Sequence, residues 1–214
     1  MINLRNNEKM NKVIQVENYA ILTIQNNPTL NKVYLKMIKE DNEVYQHSLS
    51  VCRVAVILGV YYNMNLDELI NIAVGSLLHD IGKIYLNKDI LYKPDRLSDD
   101  ERIFIEAHTS LGYKMTKDAD VNDMILSIIK SHHEKLNGKG YPDGLHSSQI
   151  PIYIQLVTIA DVFSALTSQR VYKESYSIER SLKIMKKDVG LNLIAVNILR
   201  DILKECERRT VYAV

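Results

Sequence analysis

Apolar residues recur at every third or fourth position along most of the chain, which is the spacing that gives a helix one buried face. The longest such run extends from Glu43 to Tyr62, and a second extends from Leu66 to Leu78. Further runs cover residues 121–134, 152–166 and 193–206. No alternating run long enough for a convincing strand is present, so the pattern predicts an all-α protein.

Polar residues with capping chemistry mark two more helices. Ser98 is followed three residues later by Glu101, the arrangement of a capping box, and this predicts a helix that carries His108 near its middle. Ser177 is a suitable N-cap for a helix that ends before Gly190.

The first 40 residues have a helical pattern but contain no candidate chemistry, so we predict that residues 1–40 form a helical cap or packing segment and residues 41–214 the principal domain. A length of 214 residues suits one sizeable hydrophobic core.

The composition is that of an ordinary globular protein, with 46% hydrophobic and 25% charged residues, which argues against a disordered or fibrous chain. The net charge of +1 and the lack of a dense basic stripe argue against long nucleic acid as a partner and leave a small anionic ligand open. The start of the chain is interrupted by Asn, Glu and Lys, so it predicts neither a signal peptide nor a membrane span. Cys52 and Cys206 lack metal-type spacing, which fits core or partly buried thiols in a reducing compartment and predicts a cytoplasmic protein.

Five of the six histidines belong to a sparse series that also contains acidic residues. Imidazole and carboxylate groups together bind hard and borderline cations, and a set of this size predicts more than one metal ion. The series is Glu43, His47, His79, Asp80, His108, His132, His133 and Asp161.

The strongest local signal is the pair His79 and Asp80 at the end of an apolar helix, followed by Gly82 and Lys83. A carboxylate beside an imidazole can bridge two cations, and the glycine would let the backbone turn so that Lys83 faces the same cavity. The alternative is an ordinary helix C-terminus at which His and Lys complement the helix dipole.

The other members of the series are weaker signals when taken singly. Glu43 and His47 share a helix face, but such pairs are more often surface pairs or satisfied core pairs, and a lone His108 is more often a capped or solvated histidine. The adjacent His132 and His133 diverge on a regular helix and can meet one ion only if the helix ends there. Asp161 is a stronger signal of metal binding, because a carboxylate within an apolar run needs a partner such as a metal.

Four motifs extend this picture to a family resemblance. They are H-D-I-G-K at His79–Lys83, H-H-E at His132–Glu134, N-G-K-G-Y-P at Asn137–Pro142 and A-D-V-F-S-A-L-T-S-Q-R-V-Y-K at Ala160–Lys173. In order and spacing they resemble the HD-GYP family of cyclic dinucleotide phosphodiesterases over about residues 40–200. The resemblance implies an HD-type helical bundle with a metal cluster held by side chains from about five helices.

The resemblance also implies the ligand set and the chemistry. One ion would be held by His47, His79, Asp80 and Asp161, and the next by Asp80, His108, His132 and His133. Asp80 would be the bridge, and Glu43 matches the extra acid of members that bind a third ion. The metals would be iron or manganese, and a hydroxide shared between two of them would attack phosphorus.

Substrate contacts follow from the same resemblance. Lys83 would neutralise the phosphate, and Arg170 with Lys173 resembles the family's ligand-binding pair near the second phosphate or the bases. Tyr141 would stand in a loop, residues 138–142, that lines the active site and also contacts partners such as diguanylate cyclases. A plain turn is the alternative interpretation of that loop.

Three positions depart from the family pattern, which usually has Asp at Asn137, Arg at Gln155 and Asp at Ser164. These three positions are not among the predicted metal ligands, so the departures affect the expected rate of catalysis and not the expected metal binding. We therefore expect a phosphodiesterase that converts cyclic di-GMP to linear pGpG and, by a second cleavage, to GMP. The alternatives are a catalytically weak cyclic dinucleotide sensor or cyclase-docking module and, last, an HD-type hydrolase of a mononucleotide or (p)ppGpp, which does not account for the 138–142 loop.

Overall fold

The computed structural model of the chain describes residues 2–169 and 175–212, with side chains from residue 8 to residue 208 within those ranges. The described residues form α-helices joined by short connections and two 3-10 segments, and they contain no β-strand. Within these ranges the sole strand-like pairing is an isolated antiparallel bridge between Asn137 and His146. The all-α prediction is confirmed.

The helices are α1 (Ile2–Asn26), α2 (Pro28–Glu40), α3 (Asn42–Tyr61), α4 (Leu66–Leu78), α5 (Lys88–Leu91), α6 (Asp99–Glu106), α7 (His108–Thr116), α8 (Asp123–Ser131), α9 (Ile152–Thr167), α10 (Ile178–Met185) and α11 (Leu193–Tyr212). The 3-10 segments are Ile81–Tyr85 and Ser147–Gln149.

Both predicted caps form. The Ser98 hydroxyl accepts from the backbone N–H of Glu101 at 3.2 Å, and the Glu101 carboxylate accepts from the backbone N–H of Ser98 at 2.8 Å. The Ser177 hydroxyl accepts from the backbone N–H of Arg180. These side chains satisfy amide groups that have no partner within the helix.

The prediction that His108 lies near the middle of a helix is wrong. Helix α6 ends at Glu106, and His108 is the first residue of α7. The reason is competition for carbonyl groups: His108 Nδ1 lies 2.7 Å from the Ile105 carbonyl oxygen, and the Thr109 hydroxyl donates to the Glu106 carbonyl at 3.0 Å. These carbonyls would otherwise accept from backbone amides of the continuing helix.

The centre of the fold is α3, which packs against α4 on one side and α9 on another. Helix α8 covers α4, and α7 packs against α8 and the Ile81–Tyr85 segment. By length and mean hydropathy α3 could cross a membrane, but it carries the buried polar residues His47 and Ser48 and packs in the core. The helices that bear the predicted ligands are therefore neighbours.

The first two helices share this core. The buried side chains of α1 belong to the same hydrophobic cluster as α3 and α4: Val13, Val16, Ala20 and Ile24. The division of the chain at residue 40 stays a prediction. Cys52 is buried in α3, whereas Cys206 is exposed on α11, so the expectation that both thiols are at least partly buried is wrong for Cys206.

Candidate metal centre

The predicted ligands converge from the ends and faces of α3, α4, α7, α8 and α9. Two sets of ligand atoms each lie within 4.8 Å of one another. One set is His47, His79 and Asp80; the other is Asp80, His108, His132 and His133. We refer to these residues together with Asp161 as the His/Asp cluster.

Asp80 joins the two sets because its two carboxylate oxygens face different histidines. Oδ1 lies 3.2 Å from His108 Nε2 and 3.8 Å from His132 Nε2. Oδ2 lies 3.3 Å from His79 Nε2 and 3.8 Å from His47 Nε2. This is the placement that a carboxylate needs to bridge two cations.

Backbone carbonyls orient three of the imidazoles. The Nδ1 atoms of His79 and His108 lie 2.7 Å from the carbonyl oxygens of Ser76 and Ile105, and His132 Nδ1 lies 3.1 Å from the Ile128 carbonyl. A carbonyl can only accept, so Nδ1 carries the proton and the Nε2 lone pair points into the cluster. Histidine ligands of metals are commonly held in this way.

The cluster contains hydrogen-bond acceptor atoms that face one another, and a bound cation would interact favourably with all of them. Nε2 of His108 and Nε2 of His132 are 3.3 Å apart, although both Nδ1 atoms are already committed to carbonyls. Among the described residues, His79 Nε2 and Asp80 Oδ1 are buried and have no hydrogen-bond partner. Buried polar atoms of this kind are costly, so the donor set fits divalent metal ions.

The acids are ionised in this setting. Burial disfavours the charged carboxylate of Asp80, but the charges of His79 and Lys83 outweigh it and hold the pKa of Asp80 well below its usual range. Burial likewise opposes ionisation of Asp161, yet the hydrogen bond with His47 holds the pKa of Asp161 well below its usual range. Both carboxylates can therefore serve as anionic ligands.

Three histidines of the cluster have shifted pKa values, in two opposite directions. Burial, together with the charge of neighbouring imidazoles, holds the pKa of His132 well below its usual range, and burial lowers the pKa of His133 to about 3. Both are neutral at pH 7 and offer lone pairs. Burial also acts to lower the pKa of His79, but the Asp80 carboxylate outweighs it and raises that pKa, so the surroundings of His79 favour positive charge on its imidazole.

Asp161 closes the cluster on the α9 side. Its Oδ1 lies 2.9 Å from His47 Nε2, and its Oδ2 lies 3.5 Å from His133 Nδ1. His132 and His133 both follow the last residue of α8, Ser131. The helix therefore ends at the position where the sequence analysis required it to end if both rings are to reach one ion. The Thr158 hydroxyl of α9 donates to the His132 carbonyl at 2.7 Å and fixes this end of α8.

A cavity of about 500 Å³ opens on one side of the cluster, within the range of small-molecule sites. Glu43, His47, Asp80 and Lys83 line it, and Lys83 Nζ lies 2.6 Å from Asp80 Oδ2. Glu43 is thus in the cavity wall next to the cluster, but it belongs to neither compact ligand set.

Gly82 has a different role from the predicted one. Its backbone does not take up a left-handed conformation; instead, a Cβ atom at this position would lie 2.0 Å from the carbonyl oxygen of His108. The missing side chain lets the Ile81–Tyr85 segment touch α7. This contact brings Asp80 and His108 within ligand distance of each other.

The loop after α8 is held against the cluster by two features. A Cβ atom on Gly140 would lie 2.4 Å from the backbone of Glu134, so the glycine allows close contact and places the Tyr141 ring 4.7 Å from the His133 ring. The buried Glu134 carboxylate accepts backbone N–H groups from residues 143, 144 and 145 at 2.7–3.1 Å. Tyr141 covers His133 and is not among the described residues that line the cavity.

The three departures from the family pattern have different surroundings. Asn137 accepts the backbone N–H of Lys139 at 3.2 Å. Gln155 donates to the Ile150 carbonyl at 2.7 Å and accepts from Asn192. Ser164 is buried in α9. Asn137 and Gln155 support loop structure, and none of the three belongs to the His/Asp cluster.

Some site residues fall outside the prediction or outside the described residues. Arg170 and Lys173 lie in the part of the chain that the structure does not describe. The sequence predicts no role for Glu134, Tyr92 or Lys93, of which Tyr92 and Lys93 line the cavity. The H-H-E motif could have pointed to Glu134, but no sequence pattern links Tyr92 to the cluster.

Comparisons with known proteins identify relatives of this chain. A cyclic di-GMP phosphodiesterase of Pseudomonas aeruginosa is 34% identical over 161 residues, 74% of this chain and 38% of that protein. A 3'3'-cGAMP-specific phosphodiesterase of Vibrio cholerae is 32% identical over 146 residues, 68% of this chain and 34% of that protein. The chain therefore spans a little over a third of the length of these curated relatives.

A solved structure and a family model cover the same region. The structure of a protein described as HDG"Y"P from Bdellovibrio bacteriovorus superposes with a TM-score of 0.65 at 25% identity, covering 77% of this chain and 53% of that one. The HD domain family model matches residues 32–193, a span that contains the whole His/Asp cluster. The chain belongs to the HD domain family, and the HD-GYP resemblance of its sequence is confirmed.

Proposed function

We propose that this chain is a metal-dependent phosphodiesterase that hydrolyses cyclic dinucleotides, cyclic di-GMP first among them, to the linear dinucleotide pGpG and then to GMP. The observation that carries the proposal is the position of Asp80, whose two oxygens face two separate histidine groups. The names of the related phosphodiesterases support the choice of substrate class.

The proposed ligands are those of the His/Asp cluster, with Glu43 as the acid for a third ion. Divalent ions bound there would supply an activated water and positive charge at the phosphate. Imidazole and carboxylate donors without thiolate suit iron or manganese, and Cys52 and Cys206 lie on α3 and α11 outside the ligand sets.

The chain's own residues would bind and orient the substrate. Lys83 donates one hydrogen bond to Asp80 Oδ2, and its ammonium group has two further N–H donors that can bind a phosphate oxygen. The carbonyl contacts of His79, His108 and His132 fix the imidazole planes before any ligand arrives. Such preorganisation reduces the reorganisation needed during reaction.

We further propose a cytoplasmic location, where a nucleotide second messenger would be available, and a docking role for the 138–142 loop. Lys139 and Pro142 of this loop are exposed, and the Glu134 carboxylate holds the residues that follow it. A diguanylate cyclase is the proposed partner. A sensor without turnover is the alternative function, which the cluster geometry does not favour.

Metal content and turnover test the enzyme proposal together. The protein is purified anaerobically, its metals are counted by mass spectrometry, and cyclic di-GMP and 3'3'-cGAMP are followed by chromatography. We expect at least two metal equivalents and conversion to linear product, both lost in Asp80→Ala. Full metal occupancy without conversion of either substrate would support the sensor instead.

A further inference from the structure

The cavity beside Asp80 has two cationic side chains among its described lining residues, Lys83 and Lys93. Lys83 contacts Asp80 and so lies at the His/Asp cluster. Lys93 belongs to the connection between α5 and α6, a different part of the wall. A ligand with two anionic groups would therefore meet one cation at the cluster and another on a separate segment.

Lys93 has the hydrogen-bonding capacity for an additional anion. Its Nζ lies 2.8 and 2.9 Å from the two carboxylate oxygens of Glu101. An ammonium group has three N–H donors, so one remains. Glu101 also accepts from the backbone N–H of Ser98, which means that the helix cap of α6 fixes the carboxylate that positions Lys93.

The residue before Lys93 attaches this segment to α3. The Tyr92 hydroxyl donates to Asp41 Oδ1 at 2.6 Å, and the same oxygen accepts from the backbone N–H of Val44 at the start of α3. Helix α3 carries His47. Lys93 is thus held in a defined position relative to the cluster, by Tyr92 on one side and by Glu101 on the other.

We propose that Lys93 binds the phosphate of the cyclic dinucleotide that is not being cleaved, an inference that rests on the proposed function. A cyclic dinucleotide carries two phosphodiester groups, each with one negative charge. The group that is cleaved lies at Asp80 and Lys83. The other phosphate lies at Lys93, which supplies a counter-charge through its remaining donor, in addition to Arg170 and Lys173, which the sequence resemblance places near the second phosphate or the bases. Lys93 is a substrate-binding residue that determines preference for a diester with two phosphates.

Steady-state kinetics of the metal-loaded full chain test this role with two substrates. Lys93→Gln should raise the KM for cyclic di-GMP about tenfold and leave kcat within about twofold, because a charge-assisted hydrogen bond to the bound substrate is lost. Bis(p-nitrophenyl) phosphate has a single phosphodiester group, so its kcat/KM should stay unchanged. Lys93→Arg keeps the charge and should restore most of the affinity.

Glu101→Gln is the matched structural control. Its amide oxygen can still accept from the Ser98 backbone N–H and from Lys93 Nζ, which now share one oxygen of Glu101, so Lys93 keeps its position and its charge and the KM for cyclic di-GMP should not rise. An equal rise in Glu101→Gln and Lys93→Gln would overturn the inference, because the effect would then come from the ion pair and not from phosphate binding.

The two substrates separate this inference from the proposed function. Cleavage of cyclic di-GMP that is insensitive to Lys93→Gln, or a loss that is equal for both substrates, would contradict the role of Lys93 alone. A wild-type protein that cleaves bis(p-nitrophenyl) phosphate but no cyclic dinucleotide would contradict the proposed function, and the inference with it.

Discussion

At the scale of single residues, the contacts of the carboxylates assign them different tasks within one cluster. Asp80 contacts histidines of both ligand sets through different oxygens. Asp161 belongs to neither compact ligand set and contacts His47 at 2.9 Å and, less closely, His133 at 3.5 Å. The two acids are therefore not equivalent, although both are buried and ionised.

This difference predicts unequal metal losses on substitution. Asp161→Asn replaces the anionic carboxylate by a neutral amide, so the ion on the His47 side should be lost and the metal content should fall by about one equivalent. Asp80→Ala should lose both bridged ions. Mass spectrometry after gel filtration measures both. Asp188→Asn, which affects a carboxylate bound to Lys135, is the control and should keep full metal content. Identical losses in the two cluster variants would refute separate roles.

At the scale of elements, the cluster depends on how closely segments approach. Gly82→Ala would place a Cβ atom 2.0 Å from the His108 carbonyl oxygen and push the Ile81–Tyr85 segment away from α7. We expect a loss of roughly 1–3 kcal/mol in the free energy of unfolding, as for other overpacked sites, and reduced metal binding. Urea unfolding and metal analysis measure the two effects.

Gly59→Ala is a suitable comparison for that variant. Its Cβ atom would meet the end of the Leu69 side chain at 2.7 Å, and such a side chain can move more easily than a backbone carbonyl. Metal content should stay at the wild-type value. Retention of full metal content by Gly82→Ala would show that the contact between Gly82 and His108 is not what brings Asp80 and His108 together.

The loop after α8 gives a second prediction at this scale. Glu134→Gln replaces one carboxylate oxygen by an NH₂ group, which cannot accept the backbone N–H groups that Glu134 holds. An unsatisfied buried donor costs about 1–3 kcal/mol, and Tyr141 should lose its place against His133. Chemical denaturation measures the stability change. Glu179→Gln, at an exposed pair with Lys183, is the control and should leave the stability close to that of the wild type, because exposed ion pairs contribute little. An equally small effect of Glu134→Gln would contradict the anchoring role.

The sequence could predict these elements where the determinants are local. The capping side chains of Ser98 and Ser177 lie within three residues of their partners, and the helical stripe of α3 is a periodic signal. The break before His108 depends on side-chain competition for carbonyls, which periodicity does not report. The anchoring by Glu134 depends on the chain returning about ten residues later.

The candidate site shows the same division. The family motifs predicted a bridging role for Asp80, and its two oxygens do face separate histidine groups. The position of Tyr92 in the cavity wall results from a hydrogen bond to Asp41, 51 residues earlier in the chain. Contacts of that separation follow from tertiary packing, so sequence spacing could not reveal this part of the wall.

At the scale of the whole molecule, the buried cluster links stability to pH. Burial keeps His132 and His133 neutral in the folded chain, with the pKa of His133 lowered to about 3 and that of His132 well below its usual range. The unfolded chain binds protons at these residues near pH 6.5. Between that pH and the folded pKa values the unfolded state holds more protons, so stability falls as the pH falls.

Three further members of the cluster, His79, Asp80 and Asp161, set the limits of this pH window. His79 has a raised pKa, so its contribution is fully present below pH 6.5 and is lost only at higher pH. Asp80 and Asp161 have lowered pKa values, and their contributions are lost only as the pH falls below about 4, where unfolded carboxyl groups bind protons. The histidines therefore dominate between about pH 6.5 and pH 4.

We expect the free energy of unfolding of the metal-stripped protein to decrease over that window by up to about 1.4 kcal/mol per pH unit for each of the two histidines. Urea unfolding at a series of pH values, in a chelator and at constant ionic strength, measures the slope. His133→Asn removes one of the two linked groups, so its slope should be shallower than that of the wild type. A wild-type stability that is flat from pH 6.5 to pH 4 would mean that these imidazoles accept protons in the folded chain, and they would then be poor candidates for preformed metal ligands.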